Sequence, residues 1–184
     1  MAIVLGFAPL IVFAIVQEIS LSLALWVAFA LAFGIGTYSF LHTRQLRILD
    51  AGNTVIFGLL ALYDGFIQPG LAIEIVKFVV DSGLLVLALI SLAARQPLTL
   101  HYAREQVPWQ RWGDPAFVRT NYVLTFAWTA AFAVMAGADA AAVFGRIIPV
   151  SLDMAAGLCT LAIAIVFTAR YPVFLRQRRG VSRP

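Results

Sequence analysis

Charge is what this sequence has least of. Only 12% of its 184 residues are Asp, Glu, Lys or Arg, about half the share found in an average soluble domain. So few charges cannot cover a water-facing surface. The 62% hydrophobic content and the mean hydropathy of +0.93 place the chain in a bilayer. Cysteine is nearly absent: Cys159 stands alone in an apolar run, which excludes an intrachain disulfide and leaves a thiol without a partner for redox chemistry. The only histidines are His42 and His101, and no third ligand cluster joins them, so neither a metal nor a bis-histidine haem has a ligand set. Phosphate-binding loops, H-E-x-x-H and G-x-S-x-G are missing, and Gly34-Ile-Gly36 lacks the third glycine of a dinucleotide fingerprint. These absences point away from an enzyme and from any cofactor.

What is present is a series of apolar runs. They predict an all-α fold, a polytopic transmembrane helical bundle of six spans forming one integral membrane domain over residues 1–184. The expected spans are Ile3–Gln17, Leu21–Leu41, a third around Val55–Tyr63, Leu71–Ala93, Tyr122–Ala136 and Ile147–Ala169. Ile3–Val16 has no basic flank and reads as a mature first span, kinked at Pro9. The third span is the weakest. It crosses only if its helix starts near Leu46 and accepts Arg47, Asp50 and Asn53 at the interface; the alternative is five spans with an interfacial helix. Gly34 and Gly36 in the second span suit close helix approach. Gly137 and Asp139 are expected in the turn after the fifth span.

The distribution of arginine orients the bundle. Six spans place Arg44, Arg47, Arg95, Arg104, Arg111, Arg119 and all the arginines from Arg170 onward on one side, with Arg146 alone on the other. By the positive-inside rule, both termini are cytoplasmic. Residues 95–119 then form a cytoplasmic interfacial arm, in which Trp109 and Trp112 beside Arg104 and Arg111 suit the headgroup level. Residues 170–184 form a basic tail, read as a topology signal in contact with lipid headgroups and not with nucleic acid.

The single lysine, Lys77, lies inside the fourth span. Glu74, Lys77 and Asp81 follow one another at steps of three and four, on one helical face. Asp81 falls roughly 15 Å into the span, near mid-membrane, where a charge costs several kcal/mol unless paired, hydrated or protonated. Asp153 lies six residues into the sixth span, as Lys77 does in the fourth, so the two are expected at similar depth. Lys77 has Asp81 on its own helix, Asp153 across helices, or both as partners. A hydrated vestibule for a cation, a proton or an amine is one reading of this face. Charge pairing that fixes helix packing is the other.

The layout also carries a resemblance. An early Phe7-Ala-Pro-Leu-Ile-Val-Phe13 segment precedes a hydrophobic hairpin. A span holding Lys77, a post-span Gln96-Pro-Leu-Thr-Leu-His-Tyr-Ala-Arg-Glu105 segment, and Asn121 opening a span with Trp128 then follow. This resembles the bacterial intracellular septation protein A family and its looser relatives. The resemblance implies a multi-pass protein of the bacterial inner membrane with about five spans, linked to cell division and envelope maintenance through protein partners, with no defined catalytic residue. Two functions follow as expectations. One is a non-enzymatic scaffold, docking cell-division or envelope-synthesis proteins through His101, Arg104, Glu105, Trp109 and Arg111. The other is a small transporter or channel using Glu74, Lys77, Asp81 and Asp153. Ala127, Ala131 and Gly157 allow helix association within a chain or in a homo-oligomer.

Overall fold

A computed structural model describes residues 6–44, 47–145 and 150–178. Among the described residues there are seven α-helices and no strand: α1 Ala8–Val16, α2 Leu21–Thr43, α3 Ile48–Leu62, α4 Ile73–Ala93, α5 Leu98–Arg104, α6 Pro115–Ala140 and α7 Val150–Arg178. Two π-turns extend them, Tyr63–Ile67 after α3 and Ala141–Gly145 after α6. Four helical segments are long and apolar enough to cross a membrane: Leu21–Thr43, Ile73–Ala93, Pro115–Gly145 and Leu152–Leu175.

The helix ends follow local chemistry. Ser20 caps α2 by accepting a hydrogen bond from the Leu23 amide at 3.4 Å. Arg44 ends α2 in the left-handed region at φ 54°. Asp114 caps α6 through the Ala116 amide at 2.8 Å, with Pro115 in the first turn.

Three expected boundaries are corrected. Pro9 does not kink a span; it sits in the first turn of α1, where a missing N–H costs nothing. Within the described residues α1 has nine residues, about 14 Å of helix; the expected start at Ile3 lies outside them. The fifth segment is not Tyr122–Ala136 but runs from Pro115 to Gly145. No turn forms at Gly137 and Asp139, because alanines 136, 138 and 140–142 favour continued helix and Asp139 finds a buried cation. Within the arm 95–119, Leu98, Thr99, Leu100 and Tyr102 of α5 are buried, whereas Arg95, Gln96, Glu105, Trp109 and Arg111 are exposed. The start of the sixth span at Ile147 lies outside the described residues, as do Arg146, Arg179 and Arg183 of the basic loops and tail.

The helices pack in the sequence α1–α2–α3–α4–α6–α7, with α5 against α6. At the α3–α4 crossing a Cβ on Gly52 would collide with Leu87, and one on Gly83 would lie 2.7 Å from Ile56. That crossing is where glycine permits close approach. Gly34, expected to do so, faces open space. Near the N-terminus Phe7 stacks on Trp128 of α6, ring centroids 4.0 Å apart. The Trp128 indole N–H donates to Thr168 Oγ1 at 3.0 Å, tying α6 to α7.

Candidate functional site

The helices α4, α6 and α7 bring four ionisable groups together inside the bundle. Lys77 lies four residues into α4. Its Nζ is 3.2 Å from Asp139 Oδ1 on α6 and donates to Asp153 Oδ2 on α7. Asp81, one turn along α4 and about 12 Å from its start, brings its carboxyl within hydrogen-bonding reach of Asp139. All three carboxyls are buried, with Asp139 and Asp153 2% exposed and Asp81 6%. Lys77 and Asp153 therefore meet across helices, and Lys77 has its ion pairs with Asp139 and Asp153 rather than with Asp81 on its own face. Glu74, in the first turn of α4, makes no ion pair among the described residues.

Asp139 is the functional candidate that sequence reasoning missed, having placed it in a loop. A signal was present. Asn121, Leu124, Thr125, Trp128, Ala131, Phe132 and Ala136 form the buried stripe of α6 at steps of three and four, and Asp139 is its next member.

Three carboxylates around one ammonium leave two negative charges without a partner among the described residues. Asp139 Oδ2 is buried and receives no hydrogen bond. Its neighbour is the Asp81 carboxyl, so two acceptors face each other with no donor between them. No group of three or more His, Cys, Asp or Glu able to hold a metal ion occurs among the described residues.

A cavity of about 110 Å³ opens beside the cluster. Lys77 and Asp81 form its polar end, together with Gln17 just after α1, whose Oε1 is buried without a donor among the described residues. The remaining wall is apolar, with Phe13, Leu84, Phe132 and Met154 among its members. Gly157 of α7 also lines it, and a Cβ there would meet nothing within 4 Å.

A second polar cluster holds α5 to the start of α3. Arg47, 8% exposed, donates from Nε and Nη2 to Glu105 Oε1 at 2.9 and 2.7 Å and from Nη2 to Oε2 at 2.7 Å. It also lies 3.5 Å from Asp50 Oδ2 and covers the Tyr102 ring at 4.8 Å. The Tyr102 hydroxyl donates to Asp50 Oδ1 at 2.7 Å, and Asn53 Nδ2 to the Gly6 carbonyl at 2.8 Å. Arg47, Asp50 and Asn53 thus form a buried network.

The arm residues divide accordingly. Glu105 is engaged with Arg47. Arg104 lies over the Trp112 ring at 5.4 Å, and the Trp112 indole N–H donates to the Arg104 and Val107 carbonyls at 3.2 and 3.3 Å. His101 has its affinity for a proton lowered, first by burial and then by Arg104 and Arg47. Trp109 is 74% exposed and Arg111 is exposed beside it. His42 stacks on Tyr38, ring centroids 4.1 Å apart.

No family model, curated protein or solved structure matches this chain. None of these comparisons identifies the septation protein A family.

Proposed function

We propose that the chain is a small membrane transporter in which the Lys77–Asp81–Asp139–Asp153 cluster holds a proton in exchange for a cationic solute. The observation that carries this reading is the excess of buried carboxylate. Uncompensated charge inside a membrane is costly, and intramembrane ionisable groups lining a cavity mark ion or substrate paths. Lys77 satisfies Asp139 Oδ1 and Asp153. Asp81 and Asp139 Oδ2 then need a proton or a cation between them, since two close carboxylates do not both stay ionised unaided. A proton and a cation competing for one place is the minimal device for exchange.

We place the protein in the bacterial inner membrane, crossing it six times with both termini cytoplasmic. The arginine asymmetry supports this orientation. Ile48–Leu62 continued by Tyr63–Ile67 supports a crossing at the third position, because the 15 and five residues give a helical path of about 30 Å.

The test is proton efflux from acid-loaded proteoliposomes on addition of sodium, potassium, guanidinium or methylammonium, against protein-free liposomes. At least one cation is expected to drive efflux, and folded Asp81→Asn to abolish it. Efflux that survives Asp81→Asn, or that none of the four cations drives, contradicts the reading.

A scaffold function draws on a separate observation, the exposed Trp109 and Arg111 on the distal arm. Aromatic and arginine side chains anchor many protein interfaces. Partner capture from crosslinked inner membranes that Trp109→Ala leaves unchanged would remove its support.

A further inference from the structure

The cavity beside the cluster has a chemistry of its own. Its polar end offers acceptors that lack donors. Asp81, 6% exposed, lines the cavity and receives no hydrogen bond from an N–H or O–H among the described residues. Gln17 Oε1 at the same end and Asp139 Oδ2 behind Asp81 are buried and also without donors. Among the described residues the donors there are already committed, Lys77 to Asp139 and Asp153 and Gln17 Nε2 to the Ala14 carbonyl at 3.3 Å. A ligand that fits must therefore bring hydrogens and positive charge. A primary ammonium brings three N–H donors and one charge.

The rest of the wall is hydrocarbon: Leu10, Phe13, Val80, Leu84, Phe132 and Leu161. The cavity is smaller than one that holds benzene, and it is not sealed. Leu158 of α7, 58% exposed, stands at its rim. α1 packs on α2, and α7 packs on α6. Both α1 and α7 line the cavity without packing closely on one another, and exposed Leu158 marks its outer edge; a short apolar body fits inside, and a longer tail has its way out between the two helices.

From this geometry we infer that the cavity binds a primary alkylammonium, its head on Asp81 and its tail leaving between α1 and α7 toward the membrane. The inference rests on the reading of the charge cluster as a site for a cationic solute and names the class of that solute. Lipid tails are as apolar as the cavity wall, so the tail gains little on leaving the bilayer. Selectivity comes from the ammonium–carboxylate contact, charge-assisted in a region of low dielectric.

The experiment uses the full chain in lipid nanodiscs, with protein-free discs correcting for partition into lipid. The probes are n-hexylammonium, hexan-1-ol and hexanoate, read by ligand-observed NMR and calorimetry. Saturable n-hexylammonium binding is expected, at least tenfold tighter than the alcohol, with no hexanoate binding. Asp81→Asn is expected to weaken the amine at least tenfold. Gly157→Leu, which fills the cavity from a position with no neighbour for its Cβ within 4 Å, is expected to abolish binding while circular dichroism stays unchanged. Equal affinity for amine and alcohol, or an affinity unmoved by Asp81→Asn, overturns the inference without any need for the glycine variant. Amine binding that persists in folded Gly157→Leu overturns it as well. The two readings separate cleanly. Saturable amine binding without cation-driven proton efflux refutes transport and leaves the site. Efflux by wild type with no saturable amine binding refutes the site and leaves transport.

Discussion

Removing Lys77 tests the energetics of the cluster. Lys77→Met keeps much of the side-chain volume and deletes the one cation that, among the described residues, faces Asp139 and Asp153. Both carboxylates are 2% exposed, so neither can recover its solvation from water. Each must stay charged and unpaired or take up a proton. Protonating an ordinary aspartate at pH 7 costs about 4 kcal/mol, from a reference value near 3.9 and about 1.4 kcal/mol per pH unit. The variant therefore loses about 4 kcal/mol if one proton restores balance and about 8 kcal/mol if two are needed, against a total stability of about 5–15 kcal/mol for a typical domain. Breaking a buried ion pair by deleting one partner costs about 3–5 kcal/mol elsewhere, which agrees with the lower figure. The loss has a pH signature. It shrinks by about 1.4 kcal/mol per proton for each unit by which the pH falls, so Lys77→Met recovers toward pH 5 and worsens toward pH 8. The assay is reversible unfolding in mixed micelles, followed by tryptophan fluorescence. Lys77→Met combined with Asp139→Asn and Asp153→Asn is expected to regain most of the loss at pH 7, because the two carboxylates that Lys77 paired are then gone. A Lys77→Met protein within about 1 kcal/mol of wild type at pH 7, with no change between pH 5 and 8, refutes the reasoning.

Other consequences are more local. Glu105→Gln removes the two-oxygen acceptor of Arg47; because the Glu105 side chain is 31% exposed, the expected loss is about 1–2 kcal/mol in the same unfolding assay. Gly52→Ala forces Leu87 aside at the α3–α4 crossing and is expected to cost about 1–3 kcal/mol. Gly34→Ala meets nothing within 4 Å and is expected to be neutral or mildly stabilising by helix propensity, a contrast that thermal unfolding reads directly. His101 holds its proton less tightly than an ordinary histidine, through burial and the nearby Arg104 and Arg47, with Glu105 opposing them. The unfolded chain therefore takes up that proton first as pH falls. The stability that neutral His101 contributes is whole above about pH 6.5 and declines as pH drops from there through its lowered folded value. His101→Gln is expected to flatten the fall in melting temperature between pH 7.5 and 5.5, and equal slopes in the two proteins count against the assignment.

Hydrophobic periodicity and charge placement made much of the fold legible. The apolar runs that begin at Leu21 and Leu71 correspond to α2 and α4 within a few residues. Charge steps of three and four put Lys77 and Asp81 on one face, and equal depth put Lys77 near Asp153. What was missed turns on tertiary context. Gly137 and Asp139 look like turn residues when taken alone. In the folded chain a neighbouring lysine neutralises Asp139, and the surrounding alanines carry the helix through it. Likewise nothing local to Arg47, Asp50 and Asn53 shows that Glu105, Tyr102 and the Gly6 carbonyl are their partners. Such pairings are long-range in sequence, between positions 47 and 105 or 77 and 139, and no window of adjacent residues contains them. The buried half of the arm was concealed by its flanks: Gln96, Arg104 and Glu105 bracket apolar residues that form the short helix α5.

The claim at the centre is that the excess carboxylate of the cluster holds a proton that a cationic ligand displaces. Infrared difference spectroscopy of the protein in lipid at pH 7, with deuterium exchange to mark acid groups, observes that proton directly. The account predicts a carbonyl band of a protonated carboxyl in the absence of ligand, lost on adding n-hexylammonium and missing from Asp81→Asn. No protonated-carboxyl band at pH 7, or one that Asp81→Asn leaves unchanged, would contradict it.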